Sequence, residues 1–196
     1  MLYPNNIKKE YTKLTISHSN RGMNLEHIIN QANEYYKRND IAIIYKKPTP
    51  IGIVDVSYKN NKKVIEKAYF KEQSTLDYNG LYKGKYIDFD AKETQNKTSF
   101  PLSNIHEHQT EHIRSVIKHQ GIVFLIIKMN NNIYLLTGED YINYIDNETR
   151  KSISFKYIEE KGHLIKETYS PSLDYLKVID KIYFEGEWKW QQKIKW

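Results

Sequence analysis

The sequence predicts an α/β protein in which a mixed β-sheet is flanked by helices. Three observations carry this. Apolar residues recur with helical spacing around Leu25 to Tyr36 and again around Ile105 to Ile117. β-rich runs with turn chemistry between them lie at Ile51 to Phe70 and Ile122 to Leu136. A strand of alternating character, Lys85 to Glu93, falls between the two helices. In the order helix, strand, hairpin, charged strand, helix and two strands, such elements cover one another's apolar faces as layers around a sheet.

Each element has a local cause. Asn24 is a plausible N-cap, and Leu25, Ile28, Ile29, Ala32 and Tyr36 form the apolar stripe of a helix ending near Asn39 and Asp40. Ile41 to Tyr45 is a short β-rich run, and Pro48 and Pro50 block helix or interior strand beyond it. Ile51 to Tyr58 and Lys63 to Phe70, joined by Lys59-Asn60-Asn61-Lys62, predict a long hairpin. Gly80 to Gly84 is expected to be a loop. In Lys85 to Glu93, Ile87, Phe89 and Ala91 alternate with Tyr86, Asp88, Asp90 and Lys92, so one face is expected in the core and the other to be charged. After Pro101, a helix is predicted over Leu102 to His119, with Ile105, Ile113, Val116 and Ile117 on one side. Ile122 to Lys128 and Ile133 to Leu136, turning at Asn130 to Asn132, predict a second hairpin, with Thr137 capping a last short helix.

Domain organisation follows from where these patterns begin and fade. Residues 1–21 carry lysines, asparagines and serines without periodicity and are expected to be a flexible basic arm. Residues 22–180 form the expected folded domain, with the hairpin at about 51–70, and 181–196 an appendage. From Lys151 the pattern weakens, and Trp188, Trp190 and Trp196 near the end are expected to dock onto the core.

Composition narrows the function classes. The length of 196 residues suits one domain, and 30 Lys and Arg against 24 Asp and Glu leave a net charge of +6, a moderate basic excess. With no cysteine, thiolate zinc sites, iron–sulfur clusters and cysteine nucleophiles are excluded, so a metal would sit on oxygen or imidazole. No apolar run approaches the ~20 residues of a membrane span, and the first residues lack the apolar core of a secretory signal. A soluble, cytoplasmic protein with no membrane partner is expected.

Asp77 lies thirteen residues before Asp90, and Asp90-Ala91-Lys92 sets a carboxylate and an ammonium on one strand face. Two carboxylates suit Mg²⁺ or Mn²⁺, and an adjacent lysine can meet charge growing on a phosphate. Acid followed by acid-x-Lys is the signature of the PD-(D/E)xK nuclease superfamily. The spacing alone is weak, because D-x-K arises by chance in a lysine-rich chain, and a solvated strand face is the alternative. Gln109 strengthens it. It lies four residues from both Ile105 and Ile113, on a stripe that should be apolar, where it either reaches into a site or bonds to backbone. His108 and His112, four apart on the same helix, have zinc-ligand spacing but no third ligand, and solvent or DNA contact is expected for them.

The wording of several segments is more specific. Arg21 to Glu26 (RGMNLE), Tyr45 to Pro50 (YKKPTP), Ser74 to Thr94 (STLDYNGLYKGKYIDFDAKET), Asn96 to Leu102 (NKTSFPL) and His106 to Gln109 (HEHQ) closely resemble the RecU family of Holliday-junction resolvases. The resemblance covers about residues 21–180. It implies the restriction-endonuclease-like fold, a homodimer, dependence on Mg²⁺ with Mn²⁺ as a substitute, and paired nicking of four-way DNA junctions in recombination and repair. It also implies that the hairpin at 51–70 is a projecting stalk that enters the junction.

Carried over by position, the family's metal ligands fall on Thr75, Asp77, Asp90 and Gln109, and its transition-state lysine on Lys92. One departure stands out: the family usually has Glu where this chain has Asp90, which draws the carboxylate back by about one methylene. Asp88, on the same strand face, could partly compensate for the shorter arm, with a surface or outer carboxylate role the expected one, and Glu26 could add an outer or metal-facing carboxylate, although a solvated helix residue is expected. Lys47, Lys59, Lys62 and Lys63, with Tyr58, are expected to grip phosphates and stack on bases at the crossover, and Arg21 to contact DNA from the arm. Four-way junction DNA, a second copy of the chain, and a recombinase or branch-migration helicase are the implied partners. The competing readings are a PD-(D/E)xK nuclease of other selectivity and a junction-binding recombination modulator that does not cleave.

Overall fold

In the computed structural model of the chain, which describes residues 24–71 and 75–185, Asn24 opens the first helix, α1 (Leu25–Arg38), by accepting from the Glu26 N–H at 3.0 Å. Its stripe of Leu25, Ile28, Ile29, Ala32 and Tyr36 is buried, each large side chain contributing roughly 1.5–3 kcal/mol. The N-terminal arm with Arg21 and the tryptophan-rich end lie outside the described residues.

Among the described residues, ten strands follow in three sheets. β1 (Ile43–Lys46), the hairpin β2 (Ile51–Lys59) and β3 (Lys62–Phe70), and β4 (Tyr78–Tyr82) precede the central β5 (Lys85–Glu93). After β6 (Ser99–Pro101) and a 3-10 turn at Leu102–Asn104 come α2 (Glu107–Lys118), β7 (Ile122–Met129) and β8 (Asn132–Thr137). The chain continues through α3 (Gly138–Asn147), β9 (Ser152–Ser154), α4 (Phe155–Lys161), β10 (His163–Leu164), α5 (Tyr175–Ile179) and a π-helical turn at Asp180–Phe184. The main sheet runs β1-β4-β5-β7-β8-β10 and is mixed: β5 and β7 are parallel and the other neighbours antiparallel.

Helices cover both sides of this sheet. Ile87, Phe89, Phe124 and Ile126 pack toward α1 and α5, and Phe89 lies between the rings of Tyr78 and Phe124, each 4.7 Å away. Val123, Leu125, Ile127 and Leu136 pack toward α2, α3 and α4. Among the described residues no helix is long and apolar enough to cross a membrane.

Several expectations need correction. The segment Gly80 to Gly84 is mostly strand: only Lys83 and Gly84 turn, both with positive φ as a two-residue type I′ hairpin requires. Gly80 is a strand residue because β1 lies so close that a Cβ there would sit 2.7 Å from Ile44 Cα. The second helix begins at Glu107, since the chain at Leu102–Asn104 forms a 3-10 turn and is extended at Ile105. The α3 helix capped by Thr137 is not the last, because residues 151–185 fold: Ile153, Ile158, Tyr175, Leu176 and Ile179 are buried.

The hairpin stands apart as a two-stranded sheet. Asn60 and Asn61 turn it with positive φ, and Lys59 pairs with Lys62. Its apolar side chains, including Ile53, Val54, Tyr58, Tyr69 and Phe70, are exposed. A bond of 2.9 Å from the Lys71 N–H to the Pro50 carbonyl closes its base.

Candidate active site

The Lys83-Gly84 turn decides which carboxylates meet. It pairs Tyr82 with Lys85 and Tyr78 with Phe89, so one further step back along the chain sets Asp77 opposite Asp90. Asp90 is fully buried, contrary to a solvated strand face, because α2 lies over this side of β5. Its Oδ1 accepts from the Ala91 N–H at 2.8 Å, while Oδ2 accepts from Gln109 Nε2 and pairs with Lys92 Nζ, each at 2.9 Å.

Asp77 is half-buried, and its pKa is pushed up to about 6, first by burial and then by a hydrogen bond to Asp90 and the charge of Asp90. Lys92 and Lys46 offset this only in part. The carboxylates of Asp77, Asp90 and Glu26 also push the Tyr78 hydroxyl up, after burial as the largest cause, and that hydroxyl has no hydrogen-bond partner. Asp77, Asp90 and Glu26 thus bring negative charge together beside Tyr78.

Gln109 combines both roles open to it. Its Oε1 accepts from the His106 N–H at 3.1 Å, tying down the start of α2, and its Nε2 holds Asp90. Its amide thus bridges the start of α2 and the Asp90 carboxylate.

Next to this pair lies a second buried carboxylate. Asp88 is fully buried and accepts from Lys47 Nζ at 3.0 Å to each oxygen, from Tyr86 OH at 2.7 Å and from His112 Nε2 at 2.7 Å. An acceptor-only carboxylate requires the proton on Nε2 of His112. Burial, then Asp88, pushes the Tyr86 phenol up to about 12. Lys47 also donates to Thr75 Oγ1 at 3.2 Å, and its backbone N–H to the Asp77 carbonyl at 2.8 Å. The structure therefore turns Lys47 toward the site rather than toward the free surface of the hairpin.

The other candidates sit farther out. Glu26 pairs with Lys46 at 2.5 Å, both side chains partly exposed. Lys59 pairs with Glu66 at 2.8 Å, and Lys62 and Lys63 are exposed on the hairpin. His108 stacks on His106 with ring centres 5.4 Å apart while His112 is held by Asp88, so the two histidines do not form a zinc pair. The partners of Asp88 escape sequence reasoning, yet two signals bear on them. Tyr86 lies two residues from Asp88 on one strand face, and His112 three residues from Gln109 on one helix face.

Among the described residues no group of three or more acidic or histidine side chains is placed to hold a metal. A divalent ion would therefore rest on two carboxylates, Asp77 and Asp90, with Thr75 two residues before Asp77 on the same segment. That donor set fits a hard cation that keeps several waters.

Comparison with known proteins identifies the family of the chain. The family model described as RecU, recombination protein U, matches residues 20–181. A Holliday junction resolvase RecU of Geobacillus sp. (strain WCH70) is 51% identical over 174 residues, 86% of this chain and 87% of the relative. Those of Bacillus pumilus (strain SAFR-032) and Shouchella clausii (strain KSM-K16) are each 50% identical, over 89% and 88% of this chain and 87% and 86% of their own lengths. With the family's model spanning most of the fold and half of the aligned positions identical, the chain belongs to the RecU family, that of recombination protein U.

Proposed function

We propose that the chain is a Holliday junction resolvase, an endonuclease that nicks four-way DNA junctions symmetrically in recombination and repair. The observation that carries the chemistry is the placing of Asp77 opposite Asp90, with Lys92 and Gln109 both on one oxygen of Asp90. Asp77, Asp90 and Thr75, with Gln109 beside Asp90, would hold a divalent cation, Mg²⁺ or Mn²⁺, which when bound would supply Lewis acidity to the phosphate and lower the pKa of the attacking water. Gln109 and the Ala91 N–H keep the Asp90 carboxylate in one orientation, so that little reorganisation accompanies reaction.

Lys92, whose side chain is about one-quarter exposed, swings from Asp90 toward the scissile phosphate and stabilises the charge that grows on it. In-line attack breaks the bond to the 3′ oxygen, leaving 5′-phosphate and 3′-hydroxyl ends. The Lys62 and Lys63 ammonium groups and the exposed Tyr58 suit the hairpin to phosphates and unstacked bases at the crossover. A four-way junction is two-fold symmetric, so a homodimer presents one site to each of the paired strands.

The test incubates the protein with a synthetic four-way junction and a matched linear duplex in Mg²⁺. Paired junction nicks with the duplex left whole support resolution. Cutting of both substrates assigns a nuclease of other selectivity, and binding without cutting assigns a junction-binding role.

A further inference from the structure

The hairpin leaves the fold just after Lys47 and the chain returns at Thr75, and these two residues bond to each other across its base. Lys47 holds three groups at once. Its ammonium group binds Thr75 Oγ1 at 3.2 Å and both oxygens of the fully buried Asp88 at 3.0 Å, and its N–H binds the Asp77 carbonyl at 2.8 Å. Asp88 is itself fixed by Tyr86 and His112. The segment from Thr75 to Asp77 therefore does not hang from the hairpin. It is bolted through one lysine to the centre of β5, the strand that carries Asp90 and Lys92.

We propose that Lys47 is a positioning residue for the cation site: from its anchor on Asp88 it sets the orientation of Thr75 and the height of Asp77 against Asp90. Donation from Lys47 occupies one lone pair of Thr75 Oγ1, and the hydroxyl proton turns toward the Leu76 carbonyl, 3.5 Å away. The remaining lone pair is left for a ligand. Asp88 serves as the anchor in this arrangement: its Oδ2 takes the bonds from Lys47, Tyr86 and His112, and its Oδ1 a second bond from Lys47. This inference rests on the reading that Asp77, Asp90 and Thr75 hold the cation, and it adds a residue outside that set.

The test is Mn²⁺ binding to the DNA-free protein, followed by titration calorimetry and by the Mn²⁺ electron paramagnetic resonance signal. Removing only one partner would strand a buried charge, so Lys47→Met/Asp88→Asn removes both, and Lys47→Gln/Asp88→Asn keeps a polar pair should the first fail to fold. The double variant with wild-type melting temperature is expected to bind Mn²⁺ about tenfold or more weakly, the size of effect typical of groups that orient metal ligands. In a Thr75→Val background the same pair of changes should cost little more, because its effect runs through Thr75. A folded double variant that binds within about twofold of wild type, or effects that simply add to that of Thr75→Val, overturns the proposal. Wild-type protein that binds no Mn²⁺ overturns the cation site itself, and this inference with it.

Discussion

Gln109 Nε2 donates to Asp90 Oδ2 at 2.9 Å, joining the first turn of α2 to the middle of β5 with both side chains buried. The bond makes the position of an acidic residue depend on a helix start. Replacing Gln109 with Leu removes this donor and the acceptor for the His106 N–H together. We expect a loss of about 1–3 kcal/mol in stability, read as a lower urea midpoint at unchanged slope. Cleavage should fall further than stability alone explains, seen as reduced kcat on junction DNA under conditions where the variant is fully folded.

Asp77→Asn and Lys92→Ala should abolish junction cleavage while leaving junction binding within a fewfold of wild type. The loss expected for Lys92→Ala is about 10²–10³ in kcat, the range for removing one group that meets transition-state charge. Gel-shift and single-turnover cleavage on the same preparation separate the two effects. A variant cutting at the wild-type rate would remove that residue from the mechanism.

Burial of Asp77, with Asp90 beside it, has a pH signature in the metal-free protein. The folded state binds the Asp77 proton more tightly than the unfolded chain, with a pKa of about 6 instead of the ordinary carboxylate value. This contribution to stability is therefore complete below the unfolded pKa and is lost as pH rises through the folded one. Relative to wild type, Asp77→Asn should gain melting temperature between about pH 4 and about pH 7 and level off above. Saturating Mn²⁺ should stabilise wild type more than the variant. A difference that is flat with pH would refute the raised pKa.

Asp90→Glu restores the side chain usual in the family and advances the carboxylate by one methylene. Because Asp90 Oδ1 is taken up by the Ala91 N–H, the longer arm should free an oxygen for the cation. The expected outcome is retained cleavage with a higher ratio of Mg²⁺- to Mn²⁺-supported rate, measured over matched metal titrations.

Charge on the hairpin is testable by salt. Lys62 and Lys63 are exposed, with no carboxylate paired to them among the described residues, whereas Lys59 holds Glu66. Replacing all three with Ala should flatten the slope of log K against log salt on junction DNA by about 0.9 for each phosphate that is no longer neutralised. Lys59 should contribute less than the other two, and an unchanged slope would free the hairpin of any phosphate role.

Much of this architecture is legible in the residues, and the failures share a cause. Hairpins announce themselves through Asn60-Asn61 and Asn130-Asn131, whose side chains tolerate positive φ, and α1 through its cap and stripe. Alternation along Lys85 to Glu93 separates two faces correctly but is silent on what covers each, so the burial of Asp88 and Asp90 beneath α2 is invisible until the helix is placed. Gly80 looks like a loop residue because its reason, the approach of β1, is distant in sequence. The short elements after Lys151 are held by caps at Ser154 and Asp174 and by single buried side chains, too brief to show a period. At the site, Asp77, Asp90, Lys92 and Gln109 are readable from spacing and family likeness. The inward role of Lys47 is not, because a lysine beside a basic hairpin is indistinguishable in sequence from one turned inward to a carboxylate.

The closed base of the hairpin has a consequence for how such a protein can change. Because the bond between Lys71 and Pro50, and that between Lys47 and Thr75, seal the excursion where it leaves the fold, its length is decoupled from the chemistry below it. Residues can be added to or trimmed from β2 and β3 in pairs, preserving which side of each strand faces which way, without disturbing Asp77. The projecting hairpin and the carboxylate site are thus separately adjustable parts of the fold.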